Sequence, residues 1–226
     1  MKSNKRKGKR PRVTRQQRRV SATRQKLLEA ASSVFSEKGL DSATIADITE
    51  RADVGKGTFY YHFKDKNGVV AELIKSVLGE LVAAIETKCS QISDISELLD
   101  TMIGVHIEFF SGRWEDFVLY FQGRGDIHLE QGYEGIELRY LDYLESMEKL
   151  IESAIQGQIS KQALRRIACA AAGFVSGYYS FAVIASEDED VDKTLRSLRG
   201  ALVASLTRFI SESLPPLGTV AKSGYS

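Results

Sequence analysis

The fold is decided by residues 44–66, which read TIADITERADVGKGTFYYHFKDK. Thr44 can cap a short helix, with Asp47 at the third helical position as its capping-box partner. Residues 53–55, Asp-Val-Gly, then form a tight turn, and a second short helix follows. Two short helices joined by a turn of three or four residues, packed on a preceding helix, form the helix-turn-helix, a unit that reads DNA.

The second helix of this pair has two faces of different chemistry. Phe59 and Phe63 are four residues apart, so they share one face and can anchor the helix to the core. The start of the helix suits a phosphate, and its ammonium, hydroxyl and ring groups can reach base edges or phosphates. The predicted DNA-binding residues are Thr44, Lys56, Gly57, Thr58, Tyr60, Tyr61, His62 and Lys66.

Outward from this stretch, apolar residues recur every three or four positions, which predicts helices throughout. A helix over Ser21–Lys38 precedes the motif and stops at Gly39, and a long helix from Asp65 to about Ile85 follows it. We find no segment that alternates apolar and polar residues in the manner of a strand. The predicted fold is all-α, with an N-terminal three-helix helix-turn-helix head on a larger helical bundle.

Further helical stripes occupy 95–110, 141–155 and 191–209, and 20 consecutive uncharged residues fill 167–186. The uncharged segment is long enough to span a bilayer, but it is rich in Ala, Gly and Ser and contains no Leu. We therefore expect a helix that is buried on several sides within the bundle, rather than a membrane span.

Charge is divided unevenly along the chain. Residues 1–66 carry 17 basic and 7 acidic residues, a net charge of +10, whereas residues 67–226 carry a net charge of −9. The first 26 residues hold 12 basic groups and no acidic group. A basic head on an acidic body suggests that the head meets a polyanion, although a basic run can also serve only as a solvated tail.

Several other classes of protein lack their sequence signatures here. Cys89 and Cys169 lie far apart, which indicates free thiols rather than a disulfide or a metal site. The three histidines have no metal-binding spacing, and no nucleophile elbow, phosphate loop or dinucleotide fingerprint occurs. We predict no enzyme activity, no cofactor, no metal and no cleavable signal peptide. A helical interaction module that does not bind DNA is the alternative to a DNA-binding protein.

Residues 44–66 closely resemble the signature of the TetR (tetracycline-repressor-like) family of bacterial transcriptional regulators, and the resemblance covers roughly residues 20–75. Its specific core is Lys-Gly-Thr-x-Tyr-x-His-Phe at 56–63. Two positions depart from the family pattern: Asp53 stands where the family usually has Gly, and Gly55 where it often has Ser. Asp tolerates a left-handed turn and Gly is an acceptable N-cap, so neither change breaks the motif.

The resemblance implies a homodimer that places two reading helices in successive major grooves of a double-stranded, near-palindromic operator. It implies a cytoplasmic, nucleoid-associated repressor that a small hydrophobic or aromatic effector releases from DNA. The chain then divides into a basic disordered arm (1–20), the DNA-binding domain (21–66), an effector-binding and dimerisation domain (67–214) and a flexible tail (215–226). The arm could add phosphate contacts or enter a minor groove.

In such a family member, the last two helices of each subunit, here about 161–185 and 192–213, pair into a four-helix interface. The predicted interface residues are Ala172, Gly173, Ser176, Gly177, Leu198, Leu202 and Leu206. A pocket in the bundle would be lined by apolar and aromatic groups, although each of these residues can equally be ordinary core. The predicted pocket residues are Met102, His106, Phe109, Phe110, Trp114, Phe117, Tyr120, Phe121, Tyr140 and Tyr143.

Overall fold

The computed structural model describes residues 14–125, 136–155, 157–185 and 191–213. Within these ranges the chain forms nine helices and no strand, which confirms the all-α fold class. The helices are α1 (Arg15–Ser42), α2 (Ile45–Arg51), α3 (Lys56–His62), α4 (Lys66–Cys89), α5 (Ile95–Phe110), α6 (Trp114–Gly125), α7 (Ile136–Ala154), α8 (Lys161–Ala185) and α9 (Val191–Ser213).

Helix α1 starts earlier than the apolar pattern predicts. Thr14 caps it, because its hydroxyl accepts a hydrogen bond from the Gln17 backbone N–H at 3.2 Å while the Gln17 side chain accepts one from the Thr14 N–H at 2.8 Å. The helix therefore begins at Arg15, and the expectation of a disordered arm through residue 20 is wrong for residues 15–20. Residues 1–13 lie outside the described part of the chain.

The predicted stop at Gly39 is visible as a break in α1. Gly39 has a φ of 77°, a left-handed value that glycine adopts without a steric penalty, and the chain makes one more short helical stretch to Ser42. The N–H of Ala43 then bonds back to the Gly39 carbonyl at 3.3 Å. This bend turns the chain from α1 into the helix-turn-helix.

The first three helices share one small core. Leu27, Phe35, Ile48 and Phe59 are all fully buried there, and full burial of each such side chain stabilises the fold by roughly 1.5–3 kcal/mol. Helix α4 continues out of this head, with Asp65 as its N-cap through a 2.9 Å bond from the Gly68 N–H. It ends at Cys89, about one turn beyond the predicted end.

The body is built around α4 and α5. Helix α4 packs on α5, α6 and α7, and α5 packs on α8 and α9 as well. The uncharged segment forms most of α8, which lies against α5, α7 and α9. Among the described helices, none combines the length and the apolar character needed to cross a bilayer. The predicted tail, 215–226, lies outside the described residues.

Candidate nucleic-acid interface

Helix α3 separates its anchors from its exposed groups. Phe59 is fully buried and Phe63 nearly so, with ring centroids 5.8 Å apart. Tyr60 is 57% exposed and Tyr61 is 72% exposed, although an aromatic ring normally gains free energy by burial. Two large exposed rings on one short, anchored helix form a surface suited to a partner.

The other predicted DNA-binding residues of α3 lie around this exposed side. Lys56 and Gly57 are exposed, and Thr58 and His62 are half-buried. The His62 ring meets the Tyr61 ring edge-on, with centroids 5.0 Å apart. Burial lowers the pKa of His62, and the nearby charge of Arg24 lowers it further. His62 is therefore mainly neutral near pH 7 and can offer a hydrogen bond rather than a charge.

The turn between α2 and α3 is held by backbone contacts. Asp53 has a φ of 50°, and it is the one non-glycine residue with a positive φ among those that the structure describes. The N–H of Val54 bonds to the Thr49 carbonyl at 3.0 Å, which closes the turn. Thr44 caps α2 as predicted, and the capping box with Asp47 is complete.

Lys66 has a different role from the predicted one. Its Nζ donates hydrogen bonds to the carbonyls of Leu40 at 2.5 Å, Ala43 at 3.0 Å and Asp41 at 3.3 Å. An ammonium group has three N–H donors, and here all three are directed to the backbone between α1 and α2. Lys66 therefore fastens the start of α4 to this junction, and we remove it from the DNA-binding residues.

Ion pairs connect the helices of the head. Arg51 on α2 forms a two-bond pair with Glu37 on α1, at 2.6 and 2.7 Å, and lowers the pKa of Glu37 to about 2. Lys38 lies 2.6 Å from Asp47 and, with Thr44, lowers the pKa of that carboxyl. All four charges are exposed or half-buried, so these pairs fix orientation more than they add stability.

The predicted effector-pocket residues mostly meet in a packed cluster between α5, α6 and α7. Its buried members are Met102, His106, Phe110, Phe117, Tyr120, Tyr140 and Tyr143. Phe121 is 42% exposed and Phe109 is half-buried, so both lie at the edge of the cluster. The side chain of Trp114 is outside what the structure describes. Neighbouring rings of the cluster are in contact, with centroids 5.1 to 6.3 Å apart.

His106 is fully hydrogen-bonded inside this cluster. Its Nδ1 lies 2.7 Å from the Met102 carbonyl, which can only accept, so Nδ1 carries the hydrogen. Its Nε2 lies 2.5 Å from the Tyr143 hydroxyl and accepts that hydrogen bond. Burial lowers the pKa of His106 to about 4, against a smaller rise caused by the Met102 bond. The ring is therefore neutral at pH 7.

The sequence pattern did not indicate a shallow open groove of about 420 Å³ between α4 and α5. Its walls are Ala83, Ala84, Thr87, Lys88, Val105, Glu108 and Phe109. The guanidinium of Arg113 lies 4.1 Å from the centre of the Phe109 ring and also donates to Glu80 at 2.8 Å. Phe109 thus links this groove to the packed cluster, because its ring also meets the Phe110 ring edge-on with centroids 5.1 Å apart.

The predicted dimer residues divide into two groups. Ala172, Ser176 and Leu206 are buried by helices of their own chain, so the expectation that they face a partner is wrong. Gly173 and Gly177 lie one position further around α8, where a Cβ would have no heavy atom within 4 Å. On α9, Leu198 is 41% exposed and Leu202 is half-buried. Of the predicted interface residues, those that remain open to a partner are therefore Gly173, Gly177, Leu198 and Leu202.

In the part of the chain that the structure describes, no group of three or more His, Cys, Asp or Glu residues could hold a metal ion.

The sequence matches the family model for bacterial regulatory proteins of the tetR family over residues 27–73. It is 31% identical over 138 residues to the uncharacterized HTH-type transcriptional regulator YvdT of Bacillus subtilis, covering 61% of this chain and 70% of that protein. It is 39% identical over 64 residues to the HTH-type transcriptional repressor KstR2 of Mycobacterium tuberculosis, covering 28% of this chain and 32% of that protein.

The fold resembles that of a solved transcriptional regulator. The crystal structure of FadR from Bacillus subtilis in complex with stearoyl-CoA superposes with a TM-score of 0.63 at 18% identity. The superposition covers 80% of this chain and 96% of FadR, so it extends through the body as well as the head. The sequence likeness to KstR2, in contrast, spans about a third of that repressor.

Proposed function

The chain belongs to the TetR family of bacterial transcriptional regulators, and from that premise we propose that it is a dimeric repressor which a small hydrophobic effector releases from its operator. It is a sequence-specific DNA-binding regulator by family, and an interaction module without DNA binding is not favoured. Repression is supported by the likeness of its head to KstR2. Such a regulator works on the nucleoid, in the cytoplasm.

One observation carries the assignment of α3 as the reading helix. Tyr60 and Tyr61 are exposed beside Lys56, while Phe59 and Phe63 hold the same helix to the core. A helix used only for packing would have no reason to keep two large rings in water. Side chains of this kind contact base edges, thymine methyl groups and phosphates in the major groove.

The test is a mobility-shift assay with a duplex from the upstream region of the protein's own gene and a scrambled duplex of equal length. We expect the wild-type chain to prefer the upstream duplex and Tyr61→Ala to lose that preference while it remains folded. Leu138→Ala is the matched control, because Leu138 is a large exposed side chain on α7, far from the head in sequence. Equal binding of both duplexes by the wild-type chain would contradict the proposal.

Dimerisation is supported by the open positions on α8 and α9. Gly173 and Gly177 face open space and allow a second helix to approach closely, and the exposed Leu198 of α9 gains free energy by burial. A C2 arrangement of these helices would set two copies of α3 for half-sites about 34–36 Å apart. We expect light scattering to give twice the 25.1 kDa chain mass, and Gly177→Arg to give the single-chain mass.

The effector proposal is supported by the chemistry of the aromatic cluster. Its walls are apolar, and the buried His106–Tyr143 hydrogen bond is a polar point that could recognise an oxygen or nitrogen of a ligand. Because the cluster is packed, the effector must separate α5 from α7 as it enters, and this links binding to a change in helix positions.

FadR, whose fold is similar, was crystallised with stearoyl-CoA, so that compound is the first probe. We expect it to release the labelled upstream duplex, while coenzyme A alone does not. A Phe117→Trp variant, altered in the buried cluster, should respond at a different concentration. Release that is equal for stearoyl-CoA and coenzyme A would contradict a hydrophobic effector.

A further inference from the structure

We infer that the first three turns of α1 form a second DNA surface, in which Arg15, Arg18, Arg19 and Lys26 bind backbone phosphates beside the reading helix. This inference rests on the proposed function, because it needs α3 to lie in a major groove. It differs from a disordered arm that enters a groove, since these residues belong to a regular helix.

The basic residues share one side of the helix. Arg15, Arg19 and Lys26 follow a spacing of four and seven residues, and Arg18 adjoins them, so all four project from neighbouring positions. All four are exposed. The capping box of Thr14 with Gln17 keeps the first turn helical, which holds the side chains on a rigid element.

Three cations of the head form ion pairs. Arg24 pairs with Glu72 on α4, Lys38 with Asp47, and Arg51 with Glu37. In contrast, none of the four basic residues at the start of α1 forms an ion pair with any part of the chain that the structure describes. The first acidic residue of the sequence is Glu29, so the positive field of these turns is not neutralised locally.

Contacts along α1 place these turns away from the body. The helix meets α6 in its C-terminal half, where Ser32 donates to Glu115 at 3.2 Å and the Leu40 N–H donates to Gln122 at 3.0 Å. Arg15 is 17 residues before Ser32, which is about 26 Å along a helix. The basic turns therefore lie at the other end of α1 from these contacts with α6.

The basic turns continue α1 beyond its contact with the end of α3. The Arg24 guanidinium lies 4.7 Å from the centre of the ring of Phe63, the C-cap residue of α3. Arg19 and Arg15 are five and nine residues further along, about 7.5 and 13.5 Å of helix. A major groove is about 12 Å wide, so phosphates at its border lie within this reach when α3 occupies the groove.

Phosphates are the partner that this chemistry fits. Four unneutralised cations and no exposed ring among them provide charge without a means to read bases. Contacts of this kind add affinity for any duplex sequence, and each releases counterions from the DNA. The surface should therefore raise affinity for specific and non-specific DNA alike.

The experiment measures affinity by fluorescence anisotropy across a series of salt concentrations, with the full-length chain. The probes are the upstream duplex and a random-sequence duplex of equal length. The test variant is Arg15→Gln/Arg18→Gln/Arg19→Gln. The control is Lys88→Gln/Lys149→Gln/Lys161→Gln, which removes the same charge from exposed positions of the body. A third variant replaces the same three arginines by lysine.

We expect the glutamine variant to weaken binding of both probes and to lower the slope of log K against log salt by roughly 2–3, since each phosphate contact contributes about 0.9. The lysine variant should keep most of the slope, and the body control all of it. Equal slopes for the glutamine variant and the body control would overturn the inference. A loss of affinity confined to the upstream duplex would also overturn the inference, because such a loss indicates that the arginines read bases.

The two proposals can fail separately. If the wild-type chain does not distinguish the upstream duplex from the random one, the proposed function fails. If it does distinguish them and the glutamine variant behaves as wild type, only the second surface fails. Thermal unfolding of the glutamine variant should match that of the wild-type chain, because the three side chains are exposed.

Discussion

Two aromatic regions of this molecule differ in how far their rings are exposed to solvent. On α3, Tyr60 and Tyr61 stand in water while Phe59 fixes the helix from behind. Between α5 and α7, Tyr120 and Tyr143 are buried, and the Tyr143 hydroxyl lies 2.5 Å from His106 Nε2. Both regions are rich in aromatic residues, so aromatic content does not identify a binding surface. The exposed rings indicate a binding surface in the head, whereas the aromatic cluster of the body offers a site only if its packing opens.

The largest expected effect separates the two faces of α3. Phe59→Ala should lower the free energy of unfolding by about 3–5 kcal/mol, because it empties a fully buried ring position. Tyr61→Ala should change it by less than about 0.5 kcal/mol, because the ring is exposed. Urea unfolding followed by circular dichroism measures both. Similar losses for the two variants would mean that α3 has no distinct exposed face.

The next effect tests whether the aromatic cluster of the body is closed to solvent, through the dependence of stability on pH. The pKa of His106 is about 4 in the folded chain and about 6.5 when unfolded, so the folded state binds fewer protons between these values. The stability that His106 contributes is therefore complete above pH 6.5 and falls as the pH drops towards 4, by on the order of 3 kcal/mol.

The measurement compares urea midpoints of the wild-type chain and His106→Gln from pH 7 to about pH 4. The difference between the two curves isolates His106 from the carboxyl groups, whose own stabilisation also declines in acid. A constant difference over this range would show that the imidazole is not buried. The aromatic cluster of the body would then no longer differ from α3 in its exposure to solvent.

A smaller effect concerns the connection between the head and the body. Lys66→Met removes three hydrogen bonds to backbone carbonyls but keeps the length of the side chain. We expect a loss of about 1–3 kcal/mol, since partly buried carbonyls lose their donor. Hydrogen exchange should become faster at the α1–α2 junction, while exchange in α8 is unchanged. Uniformly faster exchange would indicate a general loss of stability instead.

The smallest effect is at the turn before α3. Asp53→Gly should stabilise the head by less than about 1 kcal/mol, because glycine adopts the φ of 50° without steric cost but loses more entropy on folding. Differential scanning calorimetry is sensitive enough to detect the change. A decrease in stability would show that the Asp53 side chain makes a contribution beyond its backbone conformation.

The sequence predicted the head well because its signals are local. The Thr44–Asp47 capping box and the spacing of Phe59 and Phe63 act over three or four residues, and the structure contains both. The early start of α1 had a local signal too, since Thr14 and Gln17 have capping-box spacing. That signal was hidden within a basic run that resembles a disordered arm.

The features that the sequence did not predict depend on contacts between distant segments. Lys66 looks like a DNA-binding lysine until the carbonyls of Leu40 and Ala43 are found beside it. The uncharged α8 gave no sign of which side its own core would cover, so Ser176 could not be distinguished from Gly177. Whether an aromatic cluster is filled or hollow depends on how closely three helices pack, and periodicity does not determine that.

The attachment of Lys66 to the α1–α2 junction has a mechanical consequence. Helix α4 is 24 residues long, about 36 Å, and one end lies in the body while the other is tied to the recognition unit. A tilt of about 5° at the body end would displace the tied end by roughly 3 Å over that length. Because the Lys66 ammonium is hydrogen-bonded to three backbone carbonyls at this junction, α3 would move with α4. In a dimer, the distance between the two copies of α3 would then change.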